Sequence, residues 1–389
     1  MKDINITDTI KYIGVDDTAI DLFESQYIVP NGMAYNSYII EDEEIAILDT
    51  ADARMAAEWW NNLTAALAGR VPSYLIVHHA EPDHASLIAD VMAKYPALRL
   101  VATPRAIQML PQFFEGVDFA GRSVAVKEGD TLSLGKHKLQ FLHAPMVHWP
   151  EVMLTFDTTD KVLFSADAFG KFGALSADED WACEARRYYF NICGKYGVQV
   201  QALLKKVAAL PVEVICPLHG PVLKDNLGYY VGLYDTWSKY EPETEGVFIA
   251  FASIHGGTGL AARKLAEMLT AAGAPKVVVT DLSRCDLAEA VEDAFRYSHM
   301  VLCASSYDAG VFTPMADFLH HLKSKAFQRR KVGLLENGSW APTAGRVMRS
   351  MLEEMKDIEI IEPVVTIRSR MKEADVAAME ALADRLAEK

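Results

Sequence analysis

From Val247 onward the chain alternates apolar runs with amphipathic stretches in one regular beat, and that beat leaves few ways to fold. Strands are read over Val247 to Ser253, Lys276 to Thr280, Met300 to Ala304 and Lys331 to Leu335. Helices are read between them, over Gly259 to Ala271, Leu287 to Phe295 and Pro314 to Leu322, with an amphipathic helix over Asp375 to Glu388. Short apolar strands joined by helices run parallel, because each helical crossover returns the chain to the same edge of the sheet. The pattern predicts a doubly wound parallel sheet of four or five strands.

The chain before this region has a different texture. Tyr38-Ile39-Ile40 and Glu44 to Leu48 read as paired strands around an acidic turn, and Leu75-Ile76-Val77 as a short buried strand. Lys127-Glu128-Gly129-Asp130 is expected to close one hairpin and Leu134-Gly135-Lys136 another. Glu179 to Phe190 and Val198 to Ala208 read as helices, broken at Gly194 and Gly197, and Val214-Ile215-Cys216 as a strand. Lys239 to Glu245 is polar and carries no core pattern, so the boundary is placed there, giving domains 1–245 and 246–389.

A chain of 389 residues that is 51% hydrophobic and 23% charged has material for two full cores. Its net charge of -15 repels a phosphate backbone, which argues against nucleic acid as a partner. No apolar stretch reaches the ~18 residues of a membrane span, and Met1 to Ala19 lacks the pattern of a signal peptide. Cys183, Cys193, Cys216, Cys285 and Cys303 are dispersed and form no C-x-x-C, so a disulfide framework or thiolate metal site is not expected. The expectation is a cytoplasmic protein that contacts no membrane.

The strand ending at Val77 runs into His79-Ala80-Glu81-Pro82-Asp83-His84. Two imidazoles and two carboxylates within six residues are dense enough to hold a metal, and such ligands suit iron, manganese or zinc. His148 in Val147-His148-Trp149-Pro150, Asp167 after Val162-Leu163-Phe164, and His219 after Cys216-Pro217-Leu218 each sit beyond an apolar strand. His78 and His143 read as structural neighbours of these motifs, and Tyr189 as a candidate to bring a hydroxyl near them, with core packing as its other reading.

In the second region the first strand runs into Ser253-Ile254-His255-Gly256-Gly257-Thr258 and then a helix, a hydroxyl- and glycine-rich turn suited to an anion. Ser305-Ser306-Tyr307-Asp308-Ala309-Gly310 and Asn337-Gly338-Ser339-Trp340 follow two later strands, and each sets an aromatic among small polar residues, as needed to stack on a flat ring. His320-His321 reads as a surface pair, and the basic run Lys325 to Lys331 as a solvated helix end before a strand.

The order H-x-E-x-D-H, then His, Asp and His, is similar to that of the flavodiiron proteins, a branch of the metallo-β-lactamase fold in which Glu81 stands where zinc hydrolases carry histidine. The turn at Ser253 to Thr258 resembles the flavodoxin phosphate loop, and the other two loops resemble the isoalloxazine loops of the same family. The implied architecture is α/β: an N-terminal metallo-β-lactamase-like αββα sandwich followed by a C-terminal flavodoxin-like sheet. The resemblance implies two non-haem irons, one on His79, Glu81 and His148, the other on Asp83, His84 and His219, bridged by Asp167. It also implies FMN held by the three loops. The spacing from Asp167 to His219 is shorter than in the better-known members.

The activity implied by the resemblance is that of an oxidoreductase reducing NO to N2O or O2 to water. Electrons would reach the irons through FMN from an external donor, rubredoxin or a reduced flavoprotein, in a head-to-tail homodimer or a dimer of dimers. Two rival readings remain: a zinc-dependent hydrolase fused to a flavodoxin module, and a non-catalytic flavin electron carrier.

Overall fold

The computed structural model describes residue 4 and residues 6–388. It divides into two compact units, Met1–Asp235 and Thr236–Lys389.

The first unit is built on two sheets. One orders its strands Ile10–Tyr12, Tyr38–Ile40, Ala46–Leu48, Tyr74–Ile76, Arg99–Ala102 and Ser123–Ala125. The other orders Thr131–Ser133, Lys138–His143, Met153–Asp157, Val162–Phe164 and Val214–Cys216. Their facing side chains form one core, in which Tyr38, Leu48, Ile76 and Val101 of the first sheet meet Phe141, Met153, Phe164 and Cys216 of the second. Ala46–Leu48, Tyr74–Ile76 and Arg99–Ala102 run parallel, as do Val162–Phe164 and Val214–Cys216. Parallel strands deliver their following loops to one edge, and a rigid sheet behind a loop is what holds polar side chains in place.

One expected hairpin is not formed. Lys127 to Asp130 is a tight turn, with Asp130 N donating to Lys127 O at 3.1 Å. Its flanking strands nevertheless part company: Ser123–Ala125 pairs parallel with the first sheet, and Thr131–Ser133 pairs antiparallel with Lys138 in the second. The turn is the crossing point between sheets, because each three-residue strand finds a longer partner elsewhere.

The second unit orders its strands Val277–Asp281, Thr244–Ala252, Tyr297–Tyr307, Gln328–Asn337 and Lys356–Ile367, all parallel. The first strand in sequence lies second in space, so the chain reverses direction across the sheet beside it, the crevice where such folds bind ligands. Lys356–Ile367 is the fifth strand, and Pro363 in its middle masked it from the sequence pattern. The strand lies at the sheet edge, where a missing N–H is tolerated.

Two readings of polar sequence are corrected. Lys239 to Glu245 is not an unpacked linker: Tyr240 is buried and Thr244 already opens the first strand. Arg330, read as part of a solvated run, is buried in the interior. Its guanidinium donates to Tyr297 O at 2.9 Å, to Tyr240 O at 2.7 Å and to Phe295 O. Those carbonyls close the end of the helix Leu287–Arg296 and the approach to the first strand. No described helix is long and apolar enough to cross a membrane.

Candidate functional site

The strand Tyr74–Ile76 ends just before His78 and His79. Glu81, in extended backbone, precedes a one-turn helix that Pro82 opens with its fixed φ, and that turn brings Asp83 and His84 round to face it. His148 lies in the connection between two antiparallel strands, tied by Met146 N donating to Trp149 O at 2.7 Å and Ala144 N to Val152 O at 2.9 Å. Asp167 sits in a turn closed by Ala168 N to Ser165 O, and Leu218 N donates to Ala166 O, which draws the His219 loop alongside.

These elements bring all seven expected residues together as two groups of ligand atoms. In the first, Glu81 Oε2 is 3.0 Å from both His79 Nε2 and His148 Nε2, and the two nitrogens are 3.4 Å apart. In the second, Asp83 Oδ2 is 3.1 Å from His84 Nε2 and 3.3 Å from His219 Nε2, and those nitrogens are 3.0 Å apart. Asp167 serves both. Its Oδ2 lies 3.4 and 3.2 Å from His79 and His148, and its Oδ1 lies 3.4 and 3.8 Å from His84 and His219.

Imidazole nitrogens turned toward one another around carboxylates are poor hydrogen-bond geometry but good ligand geometry. Both Asp83 oxygens and Asp167 Oδ1 are buried without a well-formed hydrogen bond, which a native core seldom allows. The electrostatics agree. Burial alone would lower the pKa of His84, but Asp83 and Asp167 lift it to about 10. Burial likewise opposes the rise of His148 to about 9, which Asp167 and Glu81 produce. Conversely, burial would raise Asp83 and Asp167, yet the neighbouring histidines hold both well below the usual carboxylate range. The carboxylates thus draw positive charge to two points, the charge that divalent ions supply with release of protons. The mixed nitrogen and oxygen set fits iron, manganese or zinc.

Two supports behind the ligands lay beyond the sequence reading. Glu151 Oε1 is 2.8 Å from His79 Nδ1 and accepts from Ala80 N at 2.9 Å, which fixes the ring so that Nε2 faces inward. Its place two residues after Trp149, in the His148 loop, is the signal that could have found it. His219 Nδ1 is held in the same way at 2.8 Å from Ala34 O. We expect Glu151→Ala to weaken iron binding by about 10–100-fold, as loss of such outer partners does, measured by competition with a chelator.

His78 is spoken for by Asp49 and by Thr155 Oγ1 at 2.7 Å, and His143 Nε2 lies 3.2 Å from Val126 O, so both remain structural. Of the two adjacent tyrosines, Tyr188 is the one whose ring lies against the cluster, 5.4 Å from the His219 ring. Tyr189 packs on Tyr234 and Phe190 instead. Successive helix residues point about 100° apart, so a one-residue difference exchanges site for core.

In the second unit the helix Gly257–Ala271 begins after left-handed Gly256 and has no side-chain cap, which leaves its first N–H groups open to an anion. Gly257 admits no side chain: a Cβ there would lie 2.5 Å from Ser369 O. Thr258 Oγ1 and Ser305 Oγ meet at 2.8 Å, and Ser253 Oγ is buried with no partner. Ile254 and His255 are exposed along the same turn.

The other two loops project from neighbouring strands. Tyr307 is 48% and Trp340 87% exposed, open faces on which a ring system can stack. Asp308 and Ala309 form a left-handed tip between the paired Tyr307 and Gly310. Ser306 Oγ accepts from Thr343 N at 2.8 Å and Ala344 N at 3.1 Å, so this hydroxyl starts the next helix. Gly338 packs against Pro342, and Ser339 Oγ meets Ser369 Oγ at 2.7 Å. Ser369 was missed. It follows the strand hidden by Pro363, and it exchanges two hydrogen bonds of 2.9 Å with Asn337. Open helix N–H groups, an orphaned hydroxyl and exposed aromatics suit a flavin mononucleotide.

A family model described as ODP family beta lactamase matches residues 33–220. The anaerobic nitric oxide reductase flavorubredoxin of Aliivibrio fischeri is 29% identical over 349 residues, 87% of this chain and 70% of its own length. The chain is similar to the flavorubredoxins over most of its length and shares the flavodiiron fold. A diflavin flavoprotein of Synechocystis is also 29% identical, over 89% of this chain, and the chain spans 60% of that relative's length. Among solved structures, the rubredoxin oxygen:oxidoreductase of Desulfovibrio gigas matches with a TM-score of 0.92 at 24% identity, covering 99% of this chain and 97% of that one. The flavodiiron protein of Giardia intestinalis matches with a TM-score of 0.91 at 22% identity, covering 100% and 96%. At those identities the structural matches speak to the fold.

Proposed function

We propose that this chain is a flavodiiron oxidoreductase that reduces nitric oxide to nitrous oxide, or dioxygen to water, at a two-iron centre fed through FMN. The observation that carries the reading is Asp167, whose two oxygens each face a separate cluster of imidazole nitrogens. A carboxylate so placed could hold two metal ions side by side. When bound, the irons supply electrons and open coordination positions for a small diatomic gas.

The residues of the chain do the rest. His79, Glu81 and His148 hold one ion, and Asp83, His84 and His219 the other. Glu81 adds negative charge and a hard oxygen to its group, which favours iron that cycles between Fe(II) and Fe(III). Glu151 and the Ala34 carbonyl orient His79 and His219. Burial of His79, His84, His219 and Asp167 keeps bulk water from competing for the ions. In the second unit the Ser253–Thr258 turn would hold the FMN phosphate, and the loops bearing Tyr307 and Trp340 would take its ring.

The similarity to a rubredoxin oxygen:oxidoreductase and to flavorubredoxins supports a small redox protein, rubredoxin or a reduced flavoprotein, as the electron donor. We further place the chain in a head-to-tail homodimer, in which FMN of one subunit serves the irons of the other, and in the cytoplasm. A monomer with full turnover would defeat the dimer.

The test is anaerobic purification, followed by metal and flavin analysis and gas uptake under a reducing donor. Iron at both ligand groups, FMN, and consumption of nitric oxide or dioxygen are expected. Zinc in place of iron, or an intact flavin with no uptake of either gas, would overturn the proposal.

A further inference from the structure

The chain carries a net charge of -15, so a protein partner of the same sign is repelled by most of its surface. One exposed segment stands against that background. Arg368-Ser369-Arg370-Met371-Lys372 follows the edge strand Lys356–Ile367, and Arg368, Arg370 and Lys372 are all exposed. Among the described residues no carboxylate pairs with any of the three, whereas Arg349 pairs with Glu362 and Lys323 with Glu354 on the same unit. The nearest acids in sequence, Glu373 and Asp375, open the last helix. Asp375 is occupied in capping it, its Oδ2 accepting from Lys372 N at 2.7 Å.

Hydrogen bonds fasten this segment beside the loop that carries Trp340. Ser369, left-handed at φ 67°, is tied to Asn337 and Ser339 as described above. Arg368 Nη1 donates to Trp340 O at 3.5 Å, so one cation stands next to the exposed indole. Lys372 Nζ donates to Arg368 O at 2.8 Å and to Arg370 O at 3.0 Å, which gathers the segment into a compact turn. The edge strand lies outside the crevice beside the first strand, so a flavin seated in that crevice leaves these cations to solvent. Ser369 O also lies against Gly257, which makes the flavin phosphate the rival anion for them. The side chains favour the other direction: Arg368 reaches to Trp340 and Lys372 to its own turn, while open helix N–H groups already serve the phosphate turn.

We propose that Arg368, Arg370 and Lys372 form the docking surface for the electron donor, and that the donor presents an acidic face to them. The proposal rests on the function proposed above in that it takes a flavin fed by a separate donor protein. An acidic donor is drawn to the one unpaired basic segment by long-range attraction, and repulsion from the rest of the chain suppresses encounters elsewhere. A basic donor would instead be held anywhere on the acidic surface, with nothing to bring it to the flavin. Each productive encounter oxidises one donor by one electron. Two encounters, with two protons from solvent, fully reduce one flavin. Charges at the rim of such a surface act chiefly on the rate of association and on its salt dependence.

The test uses metal- and flavin-loaded full chains, with an acidic rubredoxin as the probe and photoreduced deazariboflavin as a small uncharged reductant of the same flavin. Stopped-flow absorbance reads the second-order rate of flavin reduction. In wild type the rubredoxin rate should fall at least about 10-fold between about 0.01 and 0.15 M ionic strength. The double variant Arg368→Glu with Arg370→Glu should be at least about 10-fold slower at low salt and lose most of that dependence, and Arg368→Gln with Arg370→Gln should fall between. Both should keep the wild-type FMN content and deazariboflavin rate. Rubredoxin with its carboxylates amidated should reduce wild type slowly at every salt concentration. A rubredoxin rate indifferent to salt and to both variants would overturn the proposal. Loss of FMN from the variants would overturn it too, by giving the cations to the flavin phosphate. A chain with the expected rubredoxin kinetics that takes up neither gas loses the proposed function and keeps this inference. One that takes up gas while its rubredoxin rate ignores the cations loses this inference alone.

Discussion

Asp167→Ala is expected to leave a folded chain that binds almost no iron. The side chain touches both ligand groups, and its removal takes one negative charge and one oxygen from each at once. Loss of a partner standing behind a ligand weakens a metal site by about 10–100-fold, so loss of a shared ligand should exceed about 100-fold in affinity and abolish gas uptake. Folding should survive, since Asp167 stands in a turn beyond its strand and its loss leaves the core shared by the two sheets untouched. Elemental analysis after anaerobic reconstitution decides the matter. A variant that still holds iron at both groups would show that the carboxylate does not bridge.

Arg330→Ala should be the most destabilising single change in the second unit, by about 3–5 kcal/mol. The guanidinium is buried and caps the carbonyls of Phe295, Tyr297 and Tyr240, and truncation leaves buried acceptors without donors. The cation also stands at the C-terminal end of the helix Leu287–Arg296, where positive charge is favourable. A urea titration of the full chain should show the unfolding free energy of this unit lowered by that amount, with an earlier midpoint, and flavin should be lost at lower denaturant. A shift under about 1 kcal/mol would mean that water satisfies those carbonyls as well as arginine does.

The residues that make this site were legible where they stood directly after apolar strands. A strand of three or four buried residues ends abruptly, and the polar residue beyond it has only one edge to occupy, which is why His79, Asp167 and His219 could be read together. The regular alternation after Val247 was legible for the same reason. What the sequence concealed were contacts that depend on register or on breaks in pattern. Tyr188 and Tyr189 look alike in sequence, and only the helix phase decides which meets His219. Pro363 concealed an edge strand, and with it Ser369, which ties the Asn337 loop. The turn at Lys127 to Asp130 was recognised as a turn, but which sheet each flanking strand would join is a tertiary choice that local sequence does not record. Arg330 was assigned to solvent on charge alone, because the carbonyls that draw it inward lie far away along the chain.

Each ligand group draws on loops that follow different sheets: Asp83 and His84 come after a strand of the first sheet, and His219 after a strand of the second. An ion seated between His84 and His219 therefore closes a loop of 135 residues. A covalent cross-link over a loop of about 100 residues restricts the unfolded chain by roughly 4–5 kcal/mol in the chain-entropy account, and a tightly held metal acts on the same term. The centre is in that sense a rivet between the layers of the sandwich. A cell short of iron would hold a chain that is inactive and also easier to unfold, and so more readily cleared by proteolysis.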